Sequence, residues 1–343
     1  MLEEKTSTEQ DSAIGSNERN LNSCIWGDEM NVKDDNTIRM MFQNINGFIN
    51  IRSEHKSESI REIIANNQVD VMAMAEMNAN WRVLTKRHQL QQRCRGWFEH
   101  QHLTKAYNYR DRSCHRYQPG GTAIICRDEM GMRWINSEGD KRGLGRWSSM
   151  CFRGKDQLKL RIVSVYVPTI PQDYGTKKTY YQQQRALLSM GITTNPLTVF
   201  WNDLWTMIDT FLDKGEKIVL SGDWNTDVRE DEFLLPFRQR NLIPAIISKH
   251  GEKAPATYAR GSKPIDEIFI SESLDIQSCG YLTHGESLGD HRPIWVDLNK
   301  ESALGAKLPP IPSFKARRLK CKDPRIVERY NMLLEKYLKK NSI

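Results

Sequence analysis

The stretch Ser221-Gly222-Asp223-Trp224-Asn225-Thr226 places an acid and an amide two residues apart, directly after the apolar run Ile218-Val219-Leu220. A short apolar run closed by Ser-Gly reads as a buried strand that stops abruptly. In extended backbone, residues two apart point to the same side, so Asp223 and Asn225 are expected to leave the strand end together. The pair suits a phosphate and its attacking water. The acid accepts a proton or binds a cation, and the amide hydrogen-bonds without adding repulsion. The same residue types also make ordinary turns, so chemistry requires partners elsewhere in the chain.

Other strand-like runs end in the same way. Ile38 to Phe42 runs into Gln43-Asn44-Ile45-Asn46-Gly47, and Val69 to Ala75 ends at Glu76. A carboxylate at the end of a buried strand needs a cation or a hydrogen-bond donor. Leu158 to Val167 carries Tyr166 two residues before the strand-terminating Pro168, and Ile265 to Ile270 has Asp266 near its start. Asp290-His291 stands just before the run Ile294 to Leu298, setting an acid beside an imidazole.

The elements that must position these residues read as an alternation of strands and helices. Residues 53–68 have a helical pattern with Ser53 as a cap, and 175–213 carry two helical stretches, richest from Phe200 to Leu212. Glu232 to Asn241 reads as a short helix, and Ala256-Thr257-Tyr258 as a brief strand. Gly96 to His100 reads as a short strand and Tyr107 to Gln118 as a polar loop. The runs 120–126, 147–152 and 158–167 read as an antiparallel meander.

The chain has 343 residues, 38% of them hydrophobic, with nine Trp, enough for a sizeable core. The net charge of +7 is unevenly spread. Residues 1–36 hold three Lys/Arg against nine Asp/Glu and read as a disordered acidic segment, whereas 301–343 hold eleven against four. A basic body with a basic tail points to a polyanion. Trp81 to Tyr117 interleaves nine Lys/Arg with four His and several aromatics, which suits phosphate and base contacts; the alternative is a solvated insertion. Seven Cys show no metal-ligand spacing, and Cys126 and Cys151 fall inside apolar runs, which favours a reducing compartment, nucleus or cytoplasm. No secretory signal and no membrane-spanning run is visible.

Taken in order and type, these strand ends resemble the endonuclease/exonuclease/phosphatase (DNase I-like) superfamily. The resemblance covers residues 37–300. It rests on Asn44-Ile-Asn-Gly47, Glu76, Val165-Tyr-Val-Pro168, Gly222-Asp-Trp-Asn225, Ile265-Asp266 and Gly289-Asp-His291. Within the family the chain looks most like the endonuclease domain of non-LTR (LINE-type) retrotransposons. Asn46 stands where many relatives carry Asp, Thr226 follows the Gly-Asp-Trp-Asn motif, and Thr257-Tyr258 precedes Ile265-Asp266 at the expected distance. Two departures are visible. Ala75-Glu76-Met77 replaces a common Gln-Glu-Thr, and Gly289 replaces a Ser before the Asp-His pair, which removes a hydroxyl near the phosphate.

The resemblance implies a four-layered α/β sandwich, two mixed β-sheets packed face to face with helices outside. It implies that Glu76 binds a divalent cation, Mg²⁺ or Mn²⁺, with Asn44 beside it and Asp290 as a further ligand or a help to the leaving group. Asp223 would orient or deprotonate the water, Asn225 would hold phosphate or water, and Tyr166 would bond the phosphate. His291 would donate to a phosphate oxygen, oriented by Asp266. Asn46, Thr257, Arg110, Arg112 and Arg116 are expected substrate contacts. The reaction implied is nicking of one DNA strand to leave a 3′-hydroxyl. A same-fold phosphatase or phosphodiesterase acting on a small molecule or lipid headgroup, and a silent DNA-binding module, are the alternatives.

Residues 301–343 read as a separate tail. Leu308-Pro-Pro-Ile-Pro312 is a linker and Lys315 to Lys322 a basic run. Asp323-Pro324 opens a helix with Ile326, Tyr330, Leu333, Leu334, Tyr337 and Leu338 on one face. Such a helix is marginal alone. It calls for a partner, either a reverse transcriptase domain downstream or the nuclease body itself.

Overall fold

The computed structural model describes residues 24–48, 55–172, 178–305 and 323–340. Its strands, in chain order, are β1 (Trp26–Gly27), β2 (Thr37–Asn44), β3 (Val71–Ala75), β4 (His102–Ala106), β5 (Thr122–Cys126), β6 (Trp134–Gly139) and β7 (Trp147–Arg153). There follow β8 (Lys159–Tyr166), β9 (Glu216–Asp223), β10 (Leu242–Pro244), β11 (Asp266–Ser271), β12 (Ile276–Tyr281) and β13 (Ile294–Asn299). They form a seven-stranded sheet in the order β1-β12-β13-β2-β3-β5-β4 and a six-stranded sheet in the order β10-β11-β9-β8-β7-β6.

Period-2 patterning sorts the side chains between layers. Ile38, Met40 and Phe42 of β2, with Val71, Ala73 and Ala75 of β3, meet Ile162 and Val219 of the other sheet in one core. Met41, Met72 and Met74 face the opposite way and pack with Ile60 and Ile64 of the helix His55–Asn66. The outer face of the second sheet is covered by the helix Pro196–Asp213, through Phe200, Leu204, Ile208 and Phe211, and by the helix Asp231–Arg238. The result is the expected four-layered sandwich of two mixed sheets with helices outside.

The site is positioned by two parallel strand pairs. β2 pairs parallel with β3 across the helix His55–Asn66, and β8 pairs parallel with β9 across the helices Thr179–Ser189 and Pro196–Asp213. Parallel neighbours end at the same edge, so Asn44, Glu76, Tyr166 and Asp223 all emerge there. Antiparallel neighbours begin where these end. β11 places Asp266 opposite Asp223, and β13 starts with Ile294 opposite Phe42, bringing Asp290-His291 to the same edge.

Three expectations are corrected. Residues 24–36 are not a loose acidic segment: Trp26–Gly27 pairs with Gly280–Tyr281, Asp28 accepts from Lys249 (2.8 Å), and Lys33 pairs with the buried Asp70 at 2.5 Å. Asp28 and Lys33, which look solvated in sequence, find partners on the body; residues 1–23 lie outside the described part. The three runs 120–126, 147–152 and 158–167 are not one meander. β5 joins β3 and β4 in the first sheet, while β7 lies between β6 and β8 in the second. Gly96 to His100 is a turn, and the strand beside it is β4. Ser53, Leu308 to Pro312 and Lys315 to Lys322 lie outside the described residues.

Leu308–Ile343 is a separate unit, whose described part includes the helix Pro324–Lys340. Its spacing of Ile326, Tyr330, Leu333, Leu334 and Tyr337 gives the expected apolar stripe. No helix among the described residues is long and apolar enough to cross a membrane. Cys126 and Cys151 are buried free thiols.

Candidate active site

Three strand ends share a local design. Asn44/Asn46, Glu76/Asn78 and Asp223/Asn225 each set a polar group and an Asn two residues apart, and the three second residues adopt left-handed backbone, with φ of 46°, 50° and 51°. The Asn44 side-chain oxygen accepts from Asn46 N–H (3.0 Å), and Asp223 Oδ1 from Asn225 N–H (3.1 Å). These are side-chain-capped turns, for which Asn suits the left-handed position. The pairs therefore come together because the chain turns, and not through the extended pleat expected from spacing. Glu76 itself has φ 49°, a conformation that a residue without a short amide adopts only when its surroundings impose it. Here Gly47 N–H donates to Glu76 O (2.7 Å), Met77 N–H to Gly121 O (3.1 Å), and Gly120 N–H to Asn78 Oδ1 (2.7 Å).

A cavity of about 430 Å³ opens at this edge. Among its lining residues are Asn46, Glu76, Tyr166, Asp223, Asn225, Asp290 and His291, all expected from sequence. Behind the wall, Asp266 Oδ2 accepts from His291 Nδ1 at 2.8 Å, and Asp223 Oδ2 lies 3.9 Å from Nε2. Asn44 Nδ2 donates to Asp223 Oδ2 at 2.8 Å. Asn44 is thus buried behind the cavity as an orienting partner of Asp223, which corrects its expected place as a cation ligand. Asn225 donates to Val167 O (2.6 Å), which fixes its amide at the rim. Tyr166 lies on an interior strand, with its hydroxyl bonded to Glu76 and Thr179.

The electrostatics follow from burial and crowding. Burial pushes Asp223 up, to about 8; Asp266 and Glu76 add to the rise, while His291 and the Asn44 hydrogen bond oppose it. Burial alone would lower His291, but Asp266 and Asp223 outweigh it and raise the imidazole to about 10. The balanced state is an imidazolium held between one carboxylate and one acid poised near neutrality. Burial, with Glu76 and Asp223 nearby, holds the Tyr166 phenol well above its ordinary range.

Asp223, Asp266 and His291 bring one potential ligand atom each within 4.8 Å of one another. Nδ1 of the imidazole is bonded to Asp266 and Nε2 faces Asp223 across 3.9 Å, so both ring nitrogens already look onto a carboxylate and the group reads as a charge relay around the imidazole. The cavity wall instead offers the carboxylates of Glu76, Asp223 and Asp290 and the amides of Asn46 and Asn225. An oxygen donor set with surplus negative charge fits a hard divalent cation.

Thr257 is corrected from substrate contact to support. It is fully buried, and its hydroxyl accepts from the N–H groups of Ile265 (3.0 Å) and Asp266 (3.2 Å), fixing the start of β11. Arg110, Arg112 and Arg116 are exposed and do not line the cavity, but Tyr117, the next residue, does. Arg110 lies over the Tyr109 ring and donates to Arg142 O. Sequence reasoning missed Asn78, Tyr117, Thr179, Tyr258 and Arg260. Of these, Asn78 was signalled by repetition of the two-residue spacing.

Gly289 also has a structural reason. A Cβ there would meet the Ile45 carbonyl carbon at 2.9 Å and the Asn44 oxygen at 3.1 Å. The nearby hydroxyl of Ser287 accepts from Gly289 N–H (3.0 Å) and from Gln43 Nε2 (2.7 Å), and so organises the loop.

The model of the Endonuclease/Exonuclease/phosphatase family matches residues 41–291. Among curated proteins no sequence matches. Similar solved structures include the AP endonuclease LMAP from Leishmania major, at 12% identity and TM-score 0.56, covering 78% of this chain and 89% of that one. The APE2 catalytic domain from Xenopus laevis aligns at 15% identity and TM-score 0.52, covering 76% and 92%. The human Nocturnin catalytic domain with bound sulfate aligns at 18% and 0.50, covering 78% and 96%. At these identities the likeness is one of fold.

Proposed function

The chain belongs to the endonuclease/exonuclease/phosphatase family, and from that premise we propose that it is a divalent-cation-dependent endonuclease that nicks DNA, of the non-LTR retrotransposon type. The observation that carries this reading is the junction of two features at one cavity. Asp266 is bonded to His291, Asp223 lies 3.9 Å from the other ring nitrogen, and the basic aromatic segment Trp81 to Tyr117 reaches the same cavity through Tyr117. A small-molecule phosphatase needs the relay but not a basic segment beside it.

Each side chain then has a task. His291, as imidazolium, donates from Nε2 to a non-bridging phosphate oxygen, while Asp266 holds Nδ1–H and fixes the ring. Asp223, poised near neutral pH, takes the proton of the attacking water. The Asn44 bond aims its carboxylate, and Asn225 stands beside it to orient water or phosphate. Glu76 and Asp290 would hold the cation. Bound there, Mg²⁺ or Mn²⁺ would stabilise charge on the phosphate. Tyr166 supports Glu76 and lines the phosphate pocket.

Incubation with supercoiled plasmid and Mg²⁺, beside Asp223→Ala and His291→Ala, tests the proposal. Nicking by the parent and not by the variants supports it. Phosphate release from a small phosphoester without nicking would replace it with the phosphatase reading. DNA binding with neither activity would leave a silent module.

A further inference from the structure

Residues 257–260 are stapled to the Asp290-His291 pair by backbone. Arg292 N–H donates to Thr257 O and Ala259 N–H to Asp290 O, each at 2.8 Å, and Tyr258 bridges to His291. Gly261 N–H closes the turn on Tyr258 O at 2.9 Å. This turn carries Arg260 to the cavity. Its guanidinium lies 5.3 Å from the Tyr258 ring centre, and the Tyr258 ring lies 5.0 Å from the imidazole of His291. Arg260 Nη2 makes a long contact, 3.5 Å, to Asp290 Oδ2, and its side chain is 77% exposed.

A hydrogen-bonded turn thus presents a guanidinium fork beside the relay, steadied by the Tyr258 ring and by one long, solvated ion pair to Asp290. Such a pair contributes little in water. A phosphodiester oxygen pair matches the fork better, because guanidinium binds phosphate in a bidentate, planar geometry. Arg260 also competes for Asp290 with any cation placed there, since both are positive.

We propose that Arg260 is a phosphate-binding residue of this site. It rests on Asp290 in the free protein and passes to a phosphate of the bound strand, which leaves Asp290 open to the divalent cation. The proposal rests on the nuclease reading above. It predicts two opposite changes in one variant. Arg260→Gln loses a phosphate contact, so KM for plasmid rises about tenfold while kcat changes less. The same variant removes a positive charge beside Asp290, so Mn²⁺ binds about threefold tighter without DNA. Arg260→Lys keeps the charge without the fork, so Mn²⁺ affinity stays at the parent value and KM is intermediate.

Mn²⁺ titration followed by electron paramagnetic resonance, without nucleic acid, reads the first half. Plasmid nicking kinetics read the second, and thermal melts check that the variants fold. A merely structural role would not move the two affinities in opposite directions. Unchanged or weaker Mn²⁺ binding by Arg260→Gln, or an unchanged KM, overturns the proposal. A parent chain that does not nick overturns the nuclease reading instead, and the Mn²⁺ titration then decides the Arg260–Asp290 competition on its own.

Discussion

Asp266→Asn tests the electrostatics of the relay. The amide can still accept from His291 Nδ1, so the geometry is kept and only the charge is removed. In the native protein the imidazole is raised from 6.5 to about 10. At about 1.4 kcal/mol per pH unit, that rise corresponds to about 5 kcal/mol in favour of the imidazolium. Because the folded-state value is raised, this stabilisation is fully present below pH 6.5 and is lost as pH climbs toward 10. A carboxylate at hydrogen-bond distance accounts for about two to three pH units of such a rise. Its removal should therefore lower the variant's stability by about 3 kcal/mol at pH 7, with the deficit shrinking to about 1 kcal/mol at pH 9.5. Removing a buried charge also adds a pH-independent offset, so the change in the deficit with pH is the diagnostic. Urea unfolding from pH 6 to 9.5 in EDTA measures it, and an imidazole titration by nuclear magnetic resonance reads His291 directly. The alkaline limb of plasmid nicking should move down with it. A deficit flat across this range, or an imidazole still titrating near 10 in the variant, would refute the reasoning.

Glu76→Ala and Glu76→Gly should both abolish nicking, yet the Gly variant should be the more stable by about 1 kcal/mol in urea unfolding, because only Gly accepts φ 49° without strain. The usual order, Ala above Gly, would show that this backbone is not under stress. Gly289→Ser restores the residue common in relatives, but its Cβ would press on Ile45 at 2.9 Å, so it should lose about 1–3 kcal/mol in melts and lower kcat; a gain in both would count against the contact. Arg110→Glu with Arg112→Glu and Arg116→Glu should weaken DNA binding and flatten the plot of log affinity against log salt by about two or more. An unchanged slope, read by fluorescence anisotropy, would remove the segment from the interface.

The site was legible where a strand termination signal coincides with a reactive residue type. Asp223, Glu76 and Asn44 each close an apolar run and Asp290-His291 precedes one, and buried strands with polar ends leave few places for such groups except a shared edge. What could not be read was pairing between distant strands. β5, β7 and β8 are all short buried runs with apolar residues, and nothing local says that β5 closes on β3 while β7 and β8 build the other sheet. Thr257 shows the same limit at one residue. Its hydroxyl suits a phosphate or a backbone amide equally well in sequence, and only the register of β11 decides for Ile265 and Asp266. Residues 24–36 were misread for a related reason, since Asp28 and Lys33 are paired with residues more than thirty positions away.

The left-handed residues connect these observations. Asn46, Asn78 and Asn225 tolerate that backbone, but Glu76 does not favour it. Glu76 is held there by the bond from Gly47 N–H, by Gly121 accepting from Met77, and by Asn78 tying to Gly120. None of these contacts needs the carboxylate. The stable sandwich therefore sets the backbone at Glu76, and the side chain is left to face the cavity, where its charge adds to the rise that burial imposes on Asp223. Stability for this edge comes from the core beneath it, and that is why a left-handed backbone can be held at the residue proposed to bind the cation.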